Sequence, residues 1–171
     1  VLAATMLFSA CAFVGCGEKK GNSGNDNELN IIDDNYRNWY EVFVRSYYDS
    51  NNDGIGDLKG LEQKLDYISE MGFNGIWLMP VCQSQTYHKY DVVDYYTIDK
   101  EYGTNEDFKS MIKAAHEKGI NVIVDLVLNH SSSSNEWFRK ATTALKNGET
   151  SGESAKYIEY YNFSQTAQSG Y

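Results

Sequence analysis

Ile120-Asn121-Val122-Ile123-Val124-Asp125-Leu126-Val127-Leu128-Asn129-His130 is the stretch whose reading decides the fold. Most of its side chains are aliphatic, and most of those are β-branched. An apolar run of this length without strict alternation reads as a strand buried on both faces, as in a parallel sheet. It closes on Asp125, Asn129 and His130, polar groups at the carboxyl end of the strand. In α/β proteins that edge is where ligands bind.

The residues before this run alternate helix and strand. Thr104-Asn105-Glu106-Asp107 has the form of a capping box with Asp in place of Glu, and opens a helix with Phe108, Met111, Ile112 and Ala115 on one face. His116, late in that helix, is expected at the surface. Further back, Phe73 to Met79 reads as a second buried strand, closed by Pro80, the single proline of the chain. Leu58, Leu61, Leu65, Ile68 and Met71 recur at spacings of three and four and predict an amphipathic helix, with Asp57 as its cap and Gly72 at its stop. The aromatic and β-branched stretch Trp39 to Tyr48 reads as the first strand. Strand–helix–strand–helix–strand, with polar groups after each strand, predicts a (β/α) barrel or a doubly wound sheet. No G-x-G-x-x-G follows a strand, and neither a P-loop, a zinc spacing nor a G-x-S-x-G elbow is present.

Two connections carry chemistry. Asp49, Asn51, Asp53, Ile55 (through its carbonyl) and Asp57 place oxygens at every second position around glycines, as a hard cation such as Ca2+ requires. The pattern follows the opening of an EF-hand loop but has Gly60 where the closing Glu belongs, and a strand precedes it where a helix should. A calcium loop between strand and helix is therefore expected; the alternative is a solvated Asx-rich turn. The second connection, residues 80–103, is long for a compact domain and too aromatic for disorder, so it is either functional or a structural loop packed on its own tyrosines. It holds Tyr87, His88, Lys89, Tyr90, Asp91, Asp94, Tyr95 and Tyr96. Tyrosine rings beside Asp and His suit a sugar, with flat faces for stacking and carboxylates for hydroxyls.

The chain has 171 residues, 42% of them hydrophobic and 14% aromatic, enough for a globular core. A net charge of −9 and short basic runs exclude nucleic acid as a partner. Residues 1–16 read as a lipoprotein-type export signal: 1–15 are uncharged and largely apolar, and Phe13-Val14-Gly15-Cys16 has the form of a lipidation box. Phe8-Ser9-Ala10-Cys11 is a second possible box, but apolar residues follow it. Residues 17–35 read as a flexible tether. An exported bacterial protein, cell-surface or periplasmic and held to the membrane only through a lipid, is expected. With Cys16 lipidated, Cys82 is the one cysteine within the domain, so no intrachain disulfide is expected there. Residues 131–171 turn to Ser, Asn, Thr, Gly and Tyr, with one short helix expected near Asn135 to Leu145. They read as an insertion after the third strand.

Taken in order, these motifs resemble glycoside hydrolase family 13, the α-amylase family. Asp125-Leu126-Val127-Leu128-Asn129-His130 looks like its first signature region, and His88-Lys89-Tyr90-Asp91 resembles its His-Gly-Tyr-Asp segment, with Lys89 in place of Gly. The Asp49–Asp57 loop is similar to the calcium site of the oligo-1,6-glucosidase and neopullulanase-like branches. The resemblance implies an α/β fold: residues 36–130 as the first three βα units of a TIM (β/α)8 barrel, and 131–171 as the start of the domain inserted after strand 3. It implies Tyr90 stacking on the sugar at the cleavage subsite, Asp91 binding its hydroxyls or an arginine beside them, His88 among the substrate-binding residues, and His130 supporting the oxocarbenium-like transition state. It implies Asn129 at a second calcium or the inserted domain's hinge, and Asp125 as a buried organiser of the strand end. The implied activity is retaining hydrolysis of α-glucans. The family's nucleophile and Glu acid/base stand on later strands and are absent here, so a truncated, inactive and poorly folding piece is expected. A non-catalytic sugar- or partner-binding protein on the same scaffold is the alternative.

Overall fold

The computed structural model describes residues 36–166. In chain order the elements are β1 (Trp39–Val42), α1 (Leu58–Gln63), α2 (Leu65–Glu70), β2 (Gly75–Leu78), β3 (Cys82–Ser84), β4 (Val92–Ile98), α3 (Asn105–Glu117), β5 (Asn121–Val124) and α4 (Glu136–Asn147). Short 3-10 turns occupy Val44–Ser46 and Ala155–Tyr160. The proposed leader, both lipidation boxes (Cys11 and Cys16) and the tether lie outside the described residues.

Parallel pairing of three strands in the order β1-β2-β5 gives the βαβαβ arrangement expected of the first units of a (β/α) barrel. The register aligns Tyr40 with Ile76 and Val122, and Val42 with Leu78 and Val124. Because side chains alternate faces along a strand, these rows share the side on which the helices pack. Ile76 and Leu78 are buried there with Leu58, Leu61, Leu65 and Ile68 of α1 and α2, and Met111 and Ala115 of α3. The aliphatic spacing read from the sequence is thus the spacing that fills the core. Thr104 caps α3 as expected: its hydroxyl accepts the Asp107 N–H at 3.1 Å, while the Asp107 carboxylate accepts the Thr104 N–H at 2.9 Å.

Several expectations need correction. The decisive run is strand only over Asn121–Val124, and it is not buried on both faces: Ile123 is 46% exposed, Leu126 64% and Leu128 77%. The face carrying Trp39, Glu41, Trp77 and Ile123 is open, and β5 is a sheet edge among the described residues, so these apolar groups face solvent. β1 ends at Val42, where the chain turns into the 3-10 segment instead of running on to Tyr48. The helix after Asp57 is broken at Lys64, whose backbone leaves the helical region (φ −103, ψ 6), and Met71, expected on the buried face, is exposed. Residues 80–103 form an antiparallel hairpin of β3 and β4, not an irregular connection. His116 is half-buried, with a buried Nδ1 that makes no hydrogen bond. α4, by contrast, starts one residue after Asn135, which caps it, close to the expected span. Trp137 of α4 stacks on Tyr95 of β4 (5.5 Å, 12°) and on Tyr157 (6.4 Å, 10°), joining the segment after β5 to the hairpin.

Candidate functional site

The site is built where the hairpin loop reaches the carboxyl edge of the parallel sheet. Asp125 directly follows β5, and its N–H donates to the Leu78 carbonyl at the end of β2 (2.8 Å). Tyr90, on the loop between β3 and β4, donates its O–H to Asp125 Oδ2 at 2.6 Å. This bond, with lesser contributions from burial and from the charges of Asp125 and Glu41, pushes the Tyr90 phenol up to about 12. Tyr90 therefore stays a protonated donor through the physiological range, and its ring is held by its far end. The Tyr90 N–H donates to His88 Nδ1 at 3.1 Å, which leaves the neutral imidazole's proton on Nε2. The two rings lie 5.8 Å apart.

Asp91 is tied twice. Its carbonyl accepts the Ser84 hydroxyl at 2.8 Å, and its Oδ2 accepts the Ser132 hydroxyl at 3.1 Å. Ser132 is fully buried and donates its N–H to the Val92 carbonyl (2.9 Å), so the segment after His130 docks onto the start of β4. Tyr95 fixes the same segment by donating to the Val127 carbonyl (2.7 Å), with the His130 carbonyl at 3.1 Å. The Asn129 and His130 side chains are exposed, with Asn129 Nδ2 3.3 Å from His130 Nδ1. Tyr90, Asp91 and Asp125 are thus joined to the sheet edge through hydrogen bonds, and His130 follows on a backbone held by Tyr95. Asp125 is half-buried rather than buried. Two clefts of about 360 and 350 Å³ flank the hairpin, but neither is lined by Tyr90, Asp125 or His130, which stand on the open edge.

The Asp49–Asp57 loop curls through left-handed Asn52 (φ 66) and Gly54 (φ 89). Asp49 accepts the N–H groups of Asn51, Asn52 and Gly54 at 2.7–3.0 Å. These bonds, that from Gly54 foremost, hold its carboxyl below the usual range and keep it ionised. Asn51 and Asp53 each accept an N–H two residues on, from Asp53 and Ile55. Asp57 also caps α1 by accepting the Gly60 N–H (2.7 Å) and accepts the hydroxyl and N–H of Ser50, roles that a carboxylate with about four acceptor positions can share with a cation. Among the described residues no three His, Cys, Asp or Glu side chains converge as a metal cluster, at Asn129 or in this loop. The all-oxygen donor set still fits a hard cation, provided Asn51 and the Ile55 carbonyl contribute beside the carboxylates.

Ser84 and Ser132 hold the site without any mark in the sequence, while Lys89 and Tyr95 stand in the sequence only as members of the aromatic connection, with no positioning role attached. Lys89 alone carried a signal, because it stands where the resembled segment has Gly, and its φ is 65.

The family model described as alpha amylase, catalytic domain, matches residues 41–170. The chain belongs to the α-amylase family. It is 47% identical over 131 residues to alpha-amylase 3 of Dictyoglomus thermophilum, covering 75% of this chain and 25% of that protein. To a 4-alpha-glucanotransferase of Thermotoga neapolitana it is 47% identical over 102 residues, or 60% of this chain and 23% of the relative. Among solved structures, Eubacterium rectale Amy13B superposes with a TM-score of 0.75 at 52% identity, covering 85% of this chain and 29% of that one. The chain spans about a quarter of the length of these curated α-amylase-family relatives.

Proposed function

We propose that the complete protein is an α-glucan hydrolase of the α-amylase family acting by retaining double displacement, and that residues 88–91 and 125–130 build part of its sugar subsite. The observation that carries the reading is the Tyr90–Asp125 hydrogen bond at the carboxyl edge of the parallel sheet. It fixes an aromatic ring, whose apolar face suits a pyranose, next to the Asp91 carboxylate, which suits sugar hydroxyls. In this reading Tyr90 stacks on the sugar beside the scissile bond, Asp91 and His88 accept from or donate to its hydroxyls, and His130 hydrogen-bonds the sugar as positive charge develops. Asp125 positions Tyr90 and is not the nucleophile. The two reacting carboxylates, which retaining enzymes set about 5–5.5 Å apart, come from other residues of the complete protein. Release of reducing ends from starch or maltooligosaccharides by that protein is the expected result; no turnover of any α-glucoside, with calcium supplied, overturns it.

Calcium at the first loop belongs to the same proposal, with Asp49, Asn51, Asp53, the Ile55 carbonyl and Asp57 as ligands. An ion bound to the folded state alone and present at a hundred times its dissociation constant adds about 2.7 kcal/mol. Chelation is therefore expected to lower the melting temperature, and re-added Ca2+ to restore it. Identical melting curves with and without chelator would remove the ion from this loop.

A further inference from the structure

Lys89 is buried, its side chain only 3% exposed, in a backbone conformation (φ 65) that favours glycine. A strained, charged residue in such a place persists only if the surroundings over-determine it. They do. Its Nζ lies 2.6 Å from Glu101 Oε2 and 3.1 Å from Asp99 Oδ2, and 5.2 Å from the centre of the buried Tyr102 ring. Glu101 takes a second cation, Arg45, at 2.9 Å. The network then runs back to the site: Asp99 Oδ2 accepts the Ser84 N–H (2.9 Å), and the Ser84 hydroxyl donates to the Asp91 carbonyl (2.8 Å). Lys89 itself sits between His88 and Tyr90. Both ends of the loop that presents Tyr90 and Asp91 are therefore fastened to one pair of acids on the turn after β4.

We propose that Lys89 is a positioning residue for sugar recognition, clamping the 84–91 loop through Asp99 and Glu101 so that Tyr90 and Asp91 meet substrate in a single geometry. The inference rests on the functional reading above and names a residue through which that site is set. Displacing a substrate-contacting group by about an ångström costs on the order of a hundredfold in rate. Lys89 touches no sugar in this scheme; it acts through the residues on either side of it.

The test uses the complete enzyme, with initial rates on a maltooligosaccharide and active-site titration to count folded, competent molecules. Lys89→Met keeps the aliphatic stem and removes the charge. It is expected to lower kcat/KM per active molecule by about ten- to a hundredfold, with KM raised. Glu101→Gln, at a partly exposed position, takes the charge from one leg of the clamp and is expected to cost a few-fold. The double variant should lose clearly less than the two single losses multiplied together, since both changes act on the same connection. A merely structural lysine would lower the competent fraction and the melting temperature while leaving KM unchanged. That result, or additive losses in the double variant, overturns the proposal. If Lys89→Met does not fold, Glu101→Gln decides: unchanged KM and kcat/KM overturn the clamp, and a raised KM supports it. Wild-type enzyme inactive on every α-glucoside overturns the functional reading instead.

Discussion

Asp91→Asn in the complete enzyme is expected to lower kcat/KM by about a hundredfold while the protein melts close to wild type. The two halves of that expectation come from different atoms. In the proposed reading the carboxylate is the charged acceptor for sugar hydroxyls, and hydrogen bonds to charged groups contribute roughly 1.5–3 kcal/mol. A loss near the upper end, about 2.7 kcal/mol, is a factor of a hundred. The fold depends on other parts of the residue. The Asp91 carbonyl, which Asn retains, holds Ser84, and an amide oxygen replaces Oδ2 as acceptor for the buried Ser132 hydroxyl. Asp91→Ala would confuse the two effects, because it strands that hydroxyl at a cost of about 1–3 kcal/mol. Wild-type kcat/KM for the Asn variant would reduce Asp91 to an anchor for Ser132 and take it out of the sugar site.

The same distinction between what a side chain offers and what its backbone does explains which features were legible in the sequence. Leu58, Leu61, Leu65 and Ile68 announce a buried helical face because periodicity reports burial directly, and all four are buried. The same signal could not show the break at Lys64, which divides that face between α1 and α2. The run 120–130 predicts a parallel strand, which forms over Asn121–Val124 alone, and predicts enclosure, which the described residues do not supply, since hydrophobicity records what a surface requires and not which residues cover it. Ile123, Leu126 and Leu128 have no cover among the described residues. At the site, residues with unusual chemistry in unusual company, such as Tyr90, Asp91 and Asp125, stood out. Groups that act by hydroxyl, such as Ser132 and Tyr95, look ordinary in a sequence, because their partners lie far along the chain (Ser132 to Asp91 spans 41 residues, Tyr95 to Val127 spans 32). The hairpin of β3 and β4 was missed for a related reason. Its register shifts at Cys82/Gln83 and Gln83/Ser84, so no regular alternation marks it.

Gly60→Ala is expected to destabilise the protein by roughly 2 kcal/mol or more and, under the proposed calcium reading of the loop, to weaken the ion's binding with it. Gly60 lies in the first turn of α1, where alanine would ordinarily be favoured by about 1 kcal/mol. Here a Cβ would fall 1.9 Å from the Tyr48 carbonyl oxygen, a backbone atom that no side-chain rotation can clear. Overpacking costs about 1–3 kcal/mol even where side chains can yield, so the steric term exceeds the propensity gain. The displaced group matters because Tyr48 directly precedes Asp49, and its carbonyl also accepts the Asp57 N–H at 3.1 Å. Pushing Tyr48 away pulls apart both ends of the Asp49–Asp57 loop, so the calcium concentration needed for half-maximal stabilisation should rise. This contact also accounts for the position at which the loop departs from an EF-hand. The closing glutamate of that motif would stand at Gly60, where even a methyl group does not fit, so Asp57 is the last side-chain oxygen the loop can offer. A Gly60→Ala protein that melts like wild type and responds identically to chelation would show that Tyr48 does not seat on α1 and would detach the loop's geometry from that helix.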